Sequence, residues 1–171
     1  VTGRVTLSNL KENASASIGD ALFLTKPLGV GMITTAEKKG LVSREHISSA
    51  VKSMTALNKV GEKLSELSGV NAMTDVTGFG LMGHLLEMCQ GSGTSALIDF
   101  EEIPTLDRVA LMDYHKQGCV PGGARRNFHS YGEHLDIPEG FIRDLLCDPQ
   151  TSGGLLVSVE RNSIEQVIDI L

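Results

Sequence analysis

The stretch of sequence with the clearest chemical potential covers residues 71–84. A short apolar run ends there in an acid, Asp75, and Thr77, Gly78 and Gly80 follow before a helix-like pattern begins. A carboxylate at a strand end offers the hard oxygen ligand that Mg²⁺ prefers. The glycines allow a ligand to approach the backbone, and free N–H groups at the helix start favour phosphate. The same pattern is typical of a tight strand-to-helix turn in which Asp75 or Thr77 only caps the helix, so both interpretations stay open.

Two further segments carry candidate ligand groups. Arg125, Arg126 and Asn127 lie in the glycine-rich segment 118–134, which we predict to be a loop. Arginine binds phosphate through two parallel hydrogen bonds, although arginines in a loop are also often only solvated. The segment 148–154, with its threonine, serine and paired glycines, either faces a nucleotide cleft or forms a structural turn.

The composition narrows the functional classes. The 171 residues are 41% hydrophobic and 21% charged, which predicts one soluble globular domain with a core of its own. The net charge of −6 argues against a nucleic-acid-binding protein. No apolar run reaches the roughly 18 residues that would cross a membrane. Three cysteines without C-x-x-C spacing and five histidines without ligand spacing predict reduced thiols, no zinc site and a cytoplasmic protein.

Alternating strand and helix patterns predict an α/β layered fold. We predict strands at residues 4–7, 21–25, 72–76, 95–100 and 154–159. We predict helices at residues 29–39, 43–68, 80–90, 106–116, 138–146 and 163–171. The helix at 43–68 has the longest apolar stripe, with Ser43 suited to its N-cap and Gly69 to its end. The helix at 80–90 is apolar almost all round, which indicates burial, and we expect His84 there to be a core residue with satisfied hydrogen bonds.

The order of motifs resembles that of one enzyme family over nearly the whole chain. The run at 74–88, which begins Thr-Asp-Val-Thr-Gly-Phe-Gly, resembles the signature of selenide, water dikinase, also called selenophosphate synthetase. The matching segments that accompany it are residues 19–29, 121–123, 126–128, 130–132 and 145–156. The part of the family's protein that they resemble is the C-terminal part.

The resemblance sharpens the expected fold and domain organisation. It implies an α+β layered domain with a mixed, largely antiparallel sheet flanked by helices, as in the C-terminal domain of aminoimidazole-ribonucleotide synthetase. Residues 1–171 would form a single domain, the C-terminal half of a two-domain enzyme. Because Val1 is not a start methionine and the last helix pattern is unfinished, we expect the natural chain to continue at both ends.

The resemblance also implies an activity. The family makes selenophosphate from selenide, ATP and water, with release of AMP and phosphate, and uses Mg²⁺. It implies that Asp75 is a magnesium ligand, and the predicted ATP-contacting residues are Thr77, Gly78, Gly80, Arg126 and Asn127. The family's catalytic cysteine or selenocysteine, its lysine and its other metal ligands belong to the N-terminal domain. We therefore expect no catalytic residue in this chain, no activity of the chain alone, and a homodimeric full-length enzyme.

Two other functional classes stay open at this point. The first is a non-catalytic scaffold or binding module that keeps the fold. The second is a sibling ATP-dependent enzyme such as aminoimidazole-ribonucleotide synthetase. The long match at 145–156, together with 121–123, favours the selenium branch over the sibling enzyme.

Overall fold

A three-stranded antiparallel sheet lies at the centre of the fold. The computed structural model describes residues 3–171, and the predicted strand at 4–7 is the first point of difference within them. The strands are β1 (Ala21–Leu24), β2 (Val70–Asp75) and β3 (Leu155–Val159), in the order β1-β3-β2. β3 pairs antiparallel with both neighbours, and Leu155 lies opposite Asp75. An isolated parallel bridge joins Leu28 to Thr105 outside the sheet.

Eight α-helices surround the sheet in the described residues. Their bounds are α1 (Val30–Lys38), α2 (Arg44–Thr55), α3 (Val60–Glu66), α4 (Gly80–Ser92), α5 (Arg108–Lys116), α6 (Gly122–Tyr131), α7 (Phe141–Leu146) and α8 (Ile164–Ile170). Short 3₁₀ helices are at Leu7–Asn9, Phe100–Glu102, Gly132–His134 and Arg161–Ser163. None of the helices between residues 3 and 171 is long and apolar enough to cross a membrane.

The two faces of the sheet contribute to two separate apolar cores. Successive strand residues point to opposite faces. Leu156 of β3 therefore packs with the buried side chains of α4, whereas Val157 and Val159 pack with Leu64 of α3 and Val167 of α8. Helices cover both faces of the sheet, so β3 is buried on both sides. Its sequence is accordingly apolar at nearly every position and does not alternate between apolar and polar residues.

The prediction of one continuous helix at 43–68 is wrong. The structure divides it into α2 and α3, although Ser43 is the N-cap, as predicted, with its Oγ accepting from the His46 N–H at 3.1 Å. At the break, the buried Lys26 donates from Nζ to the carbonyl of Ala56 at 2.7 Å, and Asn58 donates from Nδ2 to the carbonyl of Gly153 at 3.0 Å. Lys26 thus satisfies a carbonyl that continuation of the helix would have paired, and Asn58 ties the break to the loop before β3.

The predicted strands at 4–7 and 95–100 are also wrong. The first gives way to the 3₁₀ helix at Leu7–Asn9, and the second is extended chain that leads into the 3₁₀ helix at Phe100–Glu102. Leu97 is 99% exposed, whereas Ile98 and Phe100 of the second segment are partly buried against the main core. Neither segment pairs with a neighbouring strand in the described part of the chain, and an apolar run without such a partner is not a strand.

The glycine-rich segment predicted as a loop at 118–134 contains helix α6 instead. Its buried residues are Ala124, Asn127 and Tyr131, at the spacing of one helix face. A Cβ at Gly123 would lie 2.5 Å from Cγ of Pro149. The glycine therefore allows close packing of the helix against the loop before β3, whereas the sequence pattern suggested irregular backbone.

That loop also supplies the cap of α1. Gly29 precedes the helix and has no side chain to cap it, so Gln150 Oε1 accepts from the Val30 N–H at 3.3 Å. Asp148 Oδ2 accepts from the Gly31 N–H at 2.9 Å and from Gln150 Nε2 at 2.8 Å. The Asp148 carboxyl is fully buried, and its Oδ1 has no hydrogen-bond partner among the described residues. Burial raises the pKa of this carboxyl to about 7.

The raised pKa of Asp148 predicts a pH-dependent stability. The unfolded carboxyl releases its proton near its ordinary pKa of 3.8, but the folded one keeps it to about pH 7. The folded state thus holds more protons in this range, and stability falls as pH rises from about 4 to about 7. We expect Asp148→Asn to lose this dependence, so that its stability relative to the parent rises with pH by at most about 1.4 kcal/mol per pH unit. Urea unfolding at a series of pH values measures the difference.

The exposed Asp136 provides the matched control, because Asp136→Asn removes the same charge from the surface. Its unfolding curves should stay parallel to those of the parent across this pH range. Parallel curves for Asp148→Asn as well would contradict the prediction.

Candidate functional site

Asp75 lies at the end of β2 with an exposed carboxylate. No hydrogen bond or ion pair to its side chain occurs within residues 3–171. Asn58, Glu62 and Leu155 line the same open groove, together with residues 11–14. The predicted strand at 72–76 corresponds to β2, which ends at this acid, and the metal role of Asp75 stays a prediction.

The turn after Asp75 is held from several sides. The Val76 N–H donates to the carbonyl of Gly154 at 2.8 Å, and the carbonyl of Thr77 accepts from the N–H groups of Gly80 and Gln150, each at 3.0 Å. Two side chains of α6 hold the next two carbonyls. Asn127 Nδ2 donates to the carbonyl of Gly78 at 2.9 Å, and the Tyr131 hydroxyl donates to that of Phe79. The backbone beside Asp75 is thus fixed by three separate parts of the chain.

His84 of α4 completes this set of contacts. Its Nε2 accepts from the Thr77 N–H at 3.1 Å and lies 3.3 Å from the Thr77 Oγ1. Because Nε2 must be an acceptor for a backbone N–H, the ring proton lies on Nδ1 in the neutral form. Burial lowers the pKa of His84, and the negative charges of Asp75 and Glu87 oppose this effect.

The prediction that the polar atoms of His84 are satisfied is wrong for one of them. Nδ1 is buried without a hydrogen-bond partner in the described structure, and the nearest carboxylate oxygen, on Glu87, is 3.9 Å away. Sequence reasoning missed the contact with Thr77 because an apolar helix pattern indicates burial but does not say which turn its one histidine meets.

The predicted ligand glycines differ in their surroundings. Gly80 is buried with φ +71°, and a Cβ there would lie 2.7 Å from the carbonyl carbon of Cys147. The fold therefore requires glycine at this position whether or not a ligand binds. Gly78 is exposed, with open space where a Cβ would stand, and Thr77 is half-buried. These two residues are placed where a ligand can reach them, and their contact with ATP stays a prediction.

Arg126 and Asn127 are adjacent in sequence but point to different surroundings, because both lie on α6 and not in a loop. Asn127 is buried and donates from Nδ2 to the carbonyls of Gly78 and Cys147, the latter at 3.0 Å. Arg126 is exposed on the outer surface of the helix. Asn127 therefore supports the turn, and Arg126 is the member of the pair that is free to meet an anion.

The loop at 148–154 is mainly structural. A Cβ at Gly153 would overlap the carbonyl oxygen of Val76, and one at Gly154 would overlap the backbone N of Lys26. Asp148 and Gln150 are buried, as described above, whereas Thr151 and Ser152 are exposed. Of the two interpretations open at the start, the structural turn applies to the glycines and the buried side chains.

A metal site at Asp75 would need ligands from outside the described residues. Residues 3–171 contain no group of three or more histidine, cysteine, aspartate or glutamate side chains that could hold an ion. Mg²⁺ is normally held by one or two carboxylates together with phosphate oxygens and water. The unpaired carboxylate of Asp75 on a rigid turn fits such a role as one ligand of a site that other groups complete.

Comparison with protein families gives a match over residues 17–171 to the family described as AIR synthase related protein, C-terminal domain. The chain belongs to this family. Membership in the AIR synthase-related family confirms the predicted fold class, and the three-stranded antiparallel sheet with helices on both faces is the form that it takes here.

Among curated proteins the chain is similar to selenide, water dikinase, which confirms the resemblance read from the motifs. The identity is 56% to that of Aeromonas hydrophila, over 99% of this chain and 49% of the relative. It is 58% to that of Colwellia psychrerythraea, over 94% of this chain and 46% of the relative. The chain spans about half the length of the curated relatives that it matches.

Two solved structures of other proteins share the fold of this chain. Thiamine-monophosphate kinase from Stenotrophomonas maltophilia has a TM-score of 0.66 at 14% identity, over 97% of this chain and 47% of that one. Hydrogenase maturation protein HypE in complex with ATP has a TM-score of 0.64 at 20% identity, over 98% of this chain and 42% of that one. At such low identity these similarities establish the fold alone.

The contacts of Asn127 predict a loss of stability on substitution. Asn127→Ala removes both donors and leaves the carbonyls of Gly78 and Cys147 without these bonds, which costs about 1–3 kcal/mol. We expect urea unfolding of the chain to show this loss. The matched control is Arg126→Ala on the same helix, which should change stability by less than about 0.5 kcal/mol because the side chain is exposed. Equal stability of the two variants would contradict the structural role of Asn127.

Proposed function

We propose that the chain is the C-terminal domain of a selenide, water dikinase, which makes selenophosphate from selenide, ATP and water and releases AMP and phosphate. The observation that carries the proposal is the identity of 56% to such an enzyme over 99% of this chain. Since the chain spans about half of that relative, the activity is that of the full-length protein, and the chain is one domain of two. Its three free cysteines support a cytoplasmic location.

Asp75 is the residue that we assign to the magnesium ion. Its carboxylate faces an open groove without a competing partner in the described residues, and the turn behind it is held by several hydrogen bonds. A bound Mg²⁺ neutralises charge on the transferring phosphoryl groups. Asp75 supplies one oxygen ligand, and groups from the N-terminal domain complete the site. The domain alone would be inactive, because the family's catalytic cysteine or selenocysteine lies outside it.

Contact with ATP is the second part of the proposal. The exposed Gly78 and the half-buried Thr77 lie directly after Asp75, so a phosphate on the same ion would be within their reach. Arg126 adds a positive charge on α6, the helix whose Asn127 contacts Gly78. Gly80 and Asn127 would affect ATP binding only indirectly, by shaping the turn. Gly80 is packed against Cys147, and the Asn127 amide is bound to the carbonyls of Gly78 and Cys147. The full-length enzyme would be a homodimer by analogy with the family.

The proposal predicts a magnesium-dependent defect in Asp75→Asn of the full-length protein. Asparagine keeps the size of the side chain and its capping ability but removes the charge that attracts a hard cation. We expect selenide-dependent conversion of ATP to AMP to fall more than about tenfold, with a higher magnesium requirement and an unchanged melting temperature. The rate is measured against magnesium concentration.

Glu62 offers the matched control, because its exposed carboxylate lines the same groove. Glu62→Gln removes the same charge. An effect confined to Asp75→Asn therefore identifies Asp75 as a ligand of the magnesium ion, and not only as part of the negative electrostatic field of the groove. Unchanged kinetics in Asp75→Asn would reject the metal role. Absence of selenide-dependent AMP formation by the parent full-length protein would reject the enzyme assignment in favour of a scaffold or a sibling enzyme.

A further inference from the structure

We propose that His84 is a positioning residue that fixes the backbone after Asp75 and so holds the carboxylate ready for the magnesium ion. The inference rests on the proposed magnesium role of Asp75 and adds a residue for which the sequence suggested only a place in the core. It is carried by the hydrogen bond from the Thr77 N–H to His84 Nε2, at 3.1 Å.

The position of Asp75 depends on its backbone. Its side chain has no hydrogen bond or ion pair in residues 3–171, so no neighbouring group orients the carboxylate. The two amides that follow are both fixed: the Val76 N–H by the carbonyl of Gly154, and the Thr77 N–H by His84. With both N–H groups directed at set acceptors, the peptide planes next to Asp75 have little freedom to rotate.

Among the described residues, His84 is the one side chain that accepts from an N–H of this turn. The other side chains on the turn, Asn127 and Tyr131, donate to its carbonyls at Gly78 and Phe79, farther from Asp75. The imidazole is 7% exposed and packs against the ring of Phe79, with centroids 5.8 Å apart. The acceptor is therefore itself held in place, as a support for a metal-site residue must be.

The cost of burying this imidazole points to a purpose beyond packing. Nδ1 is buried without a hydrogen-bond partner in the described residues, with the Glu87 carboxylate 3.9 Å away, and buried donors of this kind are rare in proteins and destabilising. Leucine would fill the same part of the core without an unpaired donor. It would, however, leave the Thr77 N–H without its acceptor, so the imidazole serves the turn at the expense of the core.

The test compares two substitutions in the full-length protein. His84→Gln places an amide oxygen near the position of Nε2 and keeps an acceptor for Thr77, whereas His84→Leu removes it. Met88→Ala is the matched control, since Met88 is buried on the same helix and forms no hydrogen bond to the turn in the described residues. Asp75→Asn serves as the reference for loss of the ligand.

Two measurements separate positioning from stability. Amide hydrogen exchange of the segment 74–79, without ATP or magnesium, should be about tenfold faster in His84→Leu and close to the parent in His84→Gln and Met88→Ala. With ATP as the probe, the magnesium concentration for half-maximal rate should rise about 10- to 100-fold in His84→Leu. His84→Gln should keep this concentration close to that of the parent. Met88→Ala should lower only the melting temperature.

The outcomes distinguish this inference from the proposed function. A normal magnesium requirement in His84→Leu together with a raised one in Asp75→Asn overturns the inference alone. An equal rise in Met88→Ala and His84→Leu also overturns it, because general weakening of the core would then be the cause. A normal requirement in Asp75→Asn overturns the proposed metal role and the inference with it. If His84→Leu does not fold, His84→Asn replaces it, because the shorter amide stops short of Thr77.

Discussion

The close passage of the chain from Asp148 to Gly154 between helix α1 and the ends of β1 and β2 is the constraint on which the structure depends. Asp148 and Gln150 cap a helix that has no capping side chain of its own. Gly153 and Gly154 then lie against the backbones of Val76 and Lys26, where no side chain fits. The carbonyl of Gly154 accepts from the Val76 N–H. The segment that caps the N-terminus of α1 therefore also determines where β2 ends.

The candidate site inherits its geometry from this packing. The exposed acid comes one residue before an amide fixed by Gly154, and the following turn uses backbone and side-chain groups of α4, α6 and the loop before β3. Such a turn has little conformational freedom, so the backbone position of Asp75 is fixed before any ligand binds. Preorganisation of this kind lowers the cost of binding a cation that tolerates little distortion of its ligand shell.

The sequence predicted local features well and long-range ones poorly. The acid at the end of β2, the cap at Ser43 and the buried helix after Gly80 follow from patterns within a few residues. The break between α2 and α3 depends on Lys26, which reaches Ala56 across thirty positions, and no local pattern shows that contact. Helix α6 was missed because glycines that admit Pro149 read as loop residues. The sequence does not show the roles of His84 and Asn127, because each side chain bonds to a backbone group. Every residue carries such groups, so no sequence pattern marks the partner.

The strand order has a consequence for the newly made chain on the ribosome. β3 lies between β1 and β2 but is synthesised last, after more than 130 residues that include both of its neighbours. Until it emerges, neither edge strand has a partner and α1 lacks the groups that cap it. Folding of this domain therefore waits for β3, and β1 and β2 stay unpaired while residues 76–154 are synthesised, which is a state that chaperones recognise.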